Sequence, residues 1–407
     1  MRVLISGASI AGPVLAYWLT RYGFDVTVVE RAPALRKTGG HAVDLFRPAM
    51  DIAERMGVLD DVLAKKTGTE WLTVYDEAGA PLAELELRRI FGAVSDRHVE
   101  IMRDDLSEIL YDATRHDAAY VFGDSITSIA GDGEVTFERG APARFDLVIG
   151  ADGLHSNVRR LVFGPESRYT TWIGGYLAVA SVPNHLGLDG RMVGVAGAGR
   201  MGGMYAAAHM ADARAMFLFR TEEPLDYHHR DVARQKELLR AHFGDLGWEI
   251  PRLLDEVERT PAFYFDSITQ LRLDTWSRGR VSLVGDAGYC PGPAVGGSTS
   301  LAVVGAYVLA GELAAHGGDH TRAFPAYEAE LGEYVRRSRA FAVNAARRIV
   351  PGSRFDLWAM ARLVRLINHV PVGLTRAAVK LAGRNMRLHD AIRLKDYAAP
   401  RETTSRP

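Results

Sequence analysis

The chain has 407 residues, 47% hydrophobic and 24% charged, enough for two or three domains around large cores. A formal net charge of -1 gives no overall pull toward nucleic acid or an anionic membrane. A single cysteine excludes an intramolecular disulfide and a cysteine metal cluster, which fits a reducing, cytoplasmic setting.

Val3-Leu4-Ile5 reads as a strand buried on both faces, beginning too early for a signal peptide to precede it. Gly7 closes it with a tight turn. Ile10 to Tyr22 repeats with a helical period, and Val26 to Val29 forms a second buried strand ending in Glu30. This βαβ unit carries Gly7-Ala8-Ser9-Ile10-Ala11-Gly12, a dinucleotide fingerprint with Ser9 where the second glycine belongs. Gly12 lets helix and strand pack closely, and Ser9 is small enough for the backbone to approach a phosphate. The helix start at Ile10 and Ala11 attracts a pyrophosphate. Glu30 stands 18 positions beyond Gly12, near the usual spacing of about 20, and suits ribose hydroxyls. The fingerprint alone does not separate NAD from FAD.

Residues 70–88 read as strands around the turn Glu77-Ala78-Gly79. Leu147-Val148-Ile149 is another buried strand, leading into Gly150-Ala151-Asp152-Gly153 and a helix that holds Arg159. Residues 169–220 alternate apolar and polar with many glycines, the pattern of a sheet with one buried face. Residues 229–258 look helical, and 262–273 return as a strand. Val281 to Val284 is a strand, Gly285-Asp286 a turn, and a glycine-punctuated loop from Gly296 feeds a long apolar helix to Leu313. From Leu331 to Asp396 fourteen Lys/Arg face four Asp/Glu in a helical pattern, with Leu357, Met360, Val364 and Ile367 on one side. These helices are expected to pack on the nucleotide-binding domain rather than lie on a membrane surface. No run is apolar for long enough to span a bilayer.

Three features invite sharper readings than they support. Cys290 lacks a histidine-rich partner set, so packing is expected rather than redox chemistry. His228-His229 lacks ligands at metal spacing and reads as a solvated loop; no metal site is expected. Gly247 to Pro251 matches part of the two-tryptophan motif of flavin halogenases, but only Trp248 is present, so a helix start is expected there.

Four motifs follow one another: the βαβ unit, "RDDL" at Arg103 to Leu106, "GADGLHSNVR" at Gly150 to Arg159, and "GDAGYCPGP" at Gly285 to Pro293. In this order they resemble the p-hydroxybenzoate hydroxylase-like FAD-dependent monooxygenases, the group A aromatic hydroxylases. Within that family the chain is most similar to tetracycline destructases and natural-product hydroxylases. The resemblance implies an α/β fold. A Rossmann-like FAD-binding domain would take residues 1–72, 97–163 and 276–330. A β-sheet substrate domain would take 73–96 and 164–275, and a C-terminal helical segment 331–407.

The same resemblance implies that Glu30 holds the adenosine ribose of FAD with Arg31 beside it. Arg103 would contact FAD, Asp105 would orient its helix, and Asp286 would bind the ribityl chain or pyrophosphate. Gly296, Gly297, Ser298 and Thr299 would bring backbone N–H groups to the flavin ring. Arg36 and Asp44, around the "TGGHAVDL" loop, match positions touching the nicotinamide cofactor and the flavin; Asp152 lies in a motif that serves both. Ser9, Ser298 and a loop one residue longer before Asp44 depart from the family pattern. Implied with these residues is NAD(P)H as a transient reductant without a second nucleotide fold. O2 would then give a flavin C4a-hydroperoxide that hydroxylates an aromatic or polyketide-like substrate. A flavin-dependent reductase, a halogenase and a non-catalytic flavoprotein remain alternatives. Tyr205, His209, Phe217, Phe219 and Tyr264 are candidates for the sheet wall facing the flavin, and no catalytic base is evident.

Overall fold

The computed structural model describes residues 1–35, 39–87, 95, 97–293, 297–369 and 392–397. The strand Arg2–Ser6 lies at the heart of a six-stranded sheet. It pairs in parallel with Leu147–Gly150 on one side and Asp25–Glu30 on the other. Val281–Leu283 and Ala119–Phe122 extend the sheet in parallel, and the short Ser277–Arg278 closes one edge antiparallel. Val3, Leu4 and Ile5 are fully buried in one core with helix residues such as Val14 and Leu15 and with Ile126 and Val135 of a three-stranded antiparallel sheet, which is why the sequence there is continuously apolar rather than alternating. Helix Ala11–Arg21 makes the crossover, and helix Ser298–Ala315 packs against it. Ser298–Ala315 is long and apolar enough to cross a membrane, but it is buried on all sides as a core helix.

A seven-stranded sheet forms the second layer. Its order is Phe263–Leu271, Thr170–Pro183, Asp212–Phe219, Arg200–Ala206, Arg191–Gly197, Trp71–Tyr75 and Pro81–Glu86. All neighbours are antiparallel except Arg191–Gly197 with Trp71–Tyr75. Helices Val232–Phe243 and Ile250–Arg259 cover one face and bury Leu239, Phe243, Ile250, Leu253 and Val257 against it. Trp248 adopts a left-handed backbone (φ 56) just before the second of these helices and stacks on Tyr75 at 5.3 Å. Phe217 and Phe219 point into this helix-covered core, whereas Tyr205 and Tyr264 lie on the opposite face. The expectation that Phe217 and Phe219 share one wall with Tyr205 and Tyr264 is therefore corrected: side chains two apart share a face, and alternation alone does not say which face a given strand turns to the helices.

The C-terminal helices differ from the expected arrangement. Helix His320–Ile349 has 30 residues, about 45 Å at 1.5 Å per residue. It is long enough to start on the nucleotide-binding core with Phe324, Tyr327 and Leu331 and to end with Ala342 on the sheet residues Leu177, Val179 and Ile268. Helix Arg354–His369 then packs Leu357 and Met360 on Leu72, Val74 and Met201 of the second sheet, not on the nucleotide-binding core. Leu357 and Met360 share a face as expected, but on a different partner; the side chains of Val364 and Ile367 lie outside the described residues.

Candidate active site

At the first turn, Gly7 has φ +109, and a Cβ on it would lie 2.4 Å from the Ala151 carbonyl oxygen. A Cβ on Gly12 would lie 1.9 Å from the Gly7 oxygen. Both glycines are therefore fixed by close backbone approach. No side chain caps helix Ala11–Arg21 at Ile10, so its first-turn N–H groups remain available to an anion. Ser9 fills the second-glycine position usefully. Its Oγ accepts from Arg103 Nη2 at 3.2 Å and lies 3.3 Å from Ser107 Oγ, joining the turn to the "RDDL" helix. Glu30 ends the second strand with its carboxylate accepting from the Ala8 and Ala32 N–H groups at 3.0 and 2.8 Å. Arg31 beside it is exposed.

A second uncapped helix start lies close by. Gly297, left-handed at φ +87, begins helix Ser298–Ala315 with no side-chain cap, and Ser298 and Thr299 occupy its first turn. A Cβ on Gly285 would sit 3.2 Å from the Cβ of Ala302 and 3.4 Å from that of Ala11, so three segments converge there. Ser300 accepts from the Phe46 N–H at 2.9 Å and donates to the Asp44 carbonyl at 3.1 Å. These bonds fasten the Asp44 strand to the same helix. The Asp44 carboxylate meets His98 Nε2 at 2.7 Å. Asp286 opens the short helix Asp286–Tyr289; burial raises its carboxyl above the ordinary value against the opposing pull of Cys290 and Arg103. Burial likewise pushes the Cys290 thiol far up, which keeps it protonated and unreactive.

The loop 39–42 is clamped at successive backbone groups. The Gly40 N–H donates to Asp104 Oδ2 at 2.8 Å, and Arg214 Nε donates to the Gly40 oxygen at 3.0 Å. The Arg103 N–H donates to the His41 oxygen at 3.0 Å, and the Ala42 N–H donates to the Tyr205 hydroxyl at 2.8 Å. This clamp presents the His41 ring to Tyr264, centroids 5.6 Å apart. Burial, helped by the Arg103 charge, pushes the His41 imidazole down to about 4, so it is neutral at physiological pH. Burial also raises the Tyr264 phenol well above its usual range. The site thus offers the Arg103 guanidinium, the Asp286 carboxyl, a neutral imidazole and a protonated phenol.

Asp152 is committed locally. Its carboxylate accepts from the Asn157 and Val158 N–H groups at 2.9 and 3.0 Å and from Ser156 Oγ at 2.5 Å, holding the start of helix Asn157–Val162. Arg159 from that helix is fully buried and donates to the Ala287 oxygen at 2.9 Å, tying this motif to the Asp286 helix. Asp105 faces His209 at 2.8 Å and Lys65 at 3.5 Å, so His209 joins the two layers instead of lining the wall. His229 is exposed and stacks on His155 at 4.2 Å. Ser9, Arg103, Asp286, Asp44 and the Gly297–Thr299 turn are brought together, with Glu30 at the far end of the βαβ unit. Arg36 and Gly296 lie outside the described residues. Sequence reading missed His41, Asp104 and Arg214; a histidine inside a glycine loop ahead of "RDDL" was the available signal for the first.

Comparison with known proteins decides what this arrangement is. The sequence profile of the FAD-binding-domain family matches residues 1–348. The chain belongs to the FAD-dependent group A aromatic monooxygenases. A flavin-dependent monooxygenase of Legionella longbeachae is 39% identical over 346 residues, 84% of this chain and 88% of the relative. Among solved structures, tetracycline destructase Tet(55) is 37% identical with a TM-score of 0.80, covering 97% of this chain and 98% of its own. Tetracycline destructase Tet(51) is 35% identical with a TM-score of 0.82, covering 97% and 99%. The residues of this monooxygenase fit FAD on their own account. Two uncapped helices meet at Gly285, a carboxylate ends the second strand, and Arg103 acts on Asp286, a donor set suited to an anionic dinucleotide.

Proposed function

We propose that the protein is an FAD-dependent hydroxylase that uses NAD(P)H and O2 to oxygenate an aromatic or polyketide-like small molecule in the cytoplasm. Bound FAD supplies electron uptake from the nicotinamide and activation of oxygen. The chain's own residues hold and orient. The helix start at Ala11 receives the pyrophosphate, Glu30 the adenosine ribose, and Asp286 a ribityl hydroxyl. Arg103 balances the cofactor's negative charge, and backbone N–H groups of Gly297, Ser298 and Thr299 stabilise charge on the ring. Asp44, held by Ser300 and His98, borders that turn. His41 and Tyr264 face the same space from the substrate side. A neutral imidazole has one donor and one acceptor nitrogen, suited to a hydroxylated substrate.

The observation carrying this reading is that Ala11, Ala302 and Gly285 meet beside Asp286, while Asp286 and Arg103 act on the Tyr264 phenol next to the clamped loop 39–42. The large sheet suits a sizeable planar substrate, and two solved relatives are named as tetracycline destructases, so tetracycline heads the assay panel. Reaction under 18O2 with NADPH should consume O2 and reductant together and place one labelled atom in the product. An unlabelled, reduced product with no O2 uptake would establish the reductase reading instead.

A further inference from the structure

On the face of the seven-stranded sheet turned toward loop 39–42, one row of residues runs side by side across six strands. It reads Tyr264, Val179, Met216, Gly203, Gly194, Val74. Two adjacent strands thus present no side chain at the middle of this face. Two residues along the same strands lie Met192 and Met201, and with Leu72, Val74 and Met216 they rim a trough floored by glycine backbone. Ala42 and Met102 pack with Met192 and Met216 at one end, where the trough meets the clamped loop. Leu357 and Met360 of the C-terminal helix pack with Leu72, Val74 and Met201 at the other.

Among the described residues the lining carries no charge, and the Tyr205 and Arg214 side chains at the loop end are engaged. The Tyr205 hydroxyl holds the Ala42 N–H, and Arg214 holds the Gly40 oxygen and Asp212. The three methionine side chains nearly fill the trough, but they are unbranched, swing readily and contact aromatic rings well.

We propose that this trough seats an uncharged, flat, apolar ring portion of the substrate, and that the enzyme therefore rejects substrates bearing a carboxylate at that end. The proposal rests on the hydroxylase reading. A glycine floor lets a ring lie directly on the backbone, while a carboxylate would be buried without a partner. The occupant's neutrality follows from a lining that is wholly apolar among the described residues.

The test uses the FAD-loaded enzyme and a matched pair: 1-hydroxy-2-acetonaphthone, which is neutral, and 1-hydroxy-2-naphthoic acid, which is anionic. Binding is read from perturbation of the bound flavin's absorption. The ketone should bind at least tenfold more tightly than the acid. Met216→Lys, or Met192→Lys should the first fail to fold, should swing the preference at least tenfold toward the acid. Equal affinities, tighter binding of the acid by the wild type, no binding of either compound, or no swing in a folded lysine variant would overturn the trough. Selective ketone binding without 18O incorporation would retire the hydroxylase reading and leave the trough standing. Equal oxygenation of both compounds would do the reverse.

Discussion

Arg103→Ala isolates one side chain at the junction of the site. In the variant the backbone N–H at 103 still donates to the His41 oxygen, so the clamp on loop 39–42 survives. Ser9 also keeps its contact with Ser107. What is lost is the guanidinium, which reaches Ser9 Oγ at 3.2 Å and acts on Asp286, His41 and Tyr264. A hydrogen bond to a charged group contributes about 1.5–3 kcal/mol. At about 1.4 kcal/mol per tenfold, that loss weakens FAD binding roughly ten- to a hundredfold. Arg103→Lys keeps the charge but not the planar fork, and should fall between the two. Equilibrium dialysis or quenching of FAD fluorescence reads the affinity, with circular dichroism as the folding control. A folded Ala variant whose affinity changes less than about threefold would refute the assignment of Arg103 to the cofactor.

Asp286→Ala should release FAD in the same assay while Cys290→Ala retains it, and the native Cys290 thiol should resist iodoacetamide until the protein unfolds; turnover lost in Cys290→Ala with FAD still bound would contradict this. Gly12→Ala forces a Cβ to within 1.9 Å of the Gly7 oxygen, and the resulting backbone shift should cost about 1–3 kcal/mol or more, read as a lowered melting temperature. His155 is half-buried, and its bonds to Asp266 and Glu166 overcome the desolvation and hold its pKa up to about 9 against an ordinary 6.5. Its stabilisation is then complete below pH 6.5 and lost as pH rises through about 9. The melting-temperature gap between wild type and His155→Gln should therefore be widest near pH 6 and narrow toward pH 10, and a gap independent of pH would remove the charged pairing.

The βαβ unit was legible because its constraints are local. Full burial makes Val3-Leu4-Ile5 apolar, and close approach makes Gly7 and Gly12 obligatory. The clamp on loop 39–42 was not legible, because it joins Gly40 to Asp104 and Arg214 and Ala42 to Tyr205, contacts that only the tertiary fold creates. The sheet wall was half legible. Alternation separated Phe217 and Phe219 from Met216 and Leu218, but nothing local says which set faces helices and which the flavin.

Ser9 shows how a departure from a fingerprint is absorbed. A glycine there would leave Arg103 without its acceptor on the nucleotide turn and Ser107 without its partner. The hydroxyl makes a direct tie between the turn and the helix that carries Arg103. That helix in turn supplies Asp104 to Gly40, where a Cβ would meet the Asp104 carboxylate at 2.4 Å. Ser9, Arg103, Asp104, Gly40 and His41 thus form one continuous linkage from the first turn to the Tyr264 ring, so a change at Ser9 should be felt at the His41 ring. In Ser9→Gly the FAD affinity should fall by less than in Arg103→Ala, because the guanidinium keeps its charge and loses only its tether. A Ser9→Gly variant that lost FAD as completely as Arg103→Ala would place the hydroxyl itself on the cofactor.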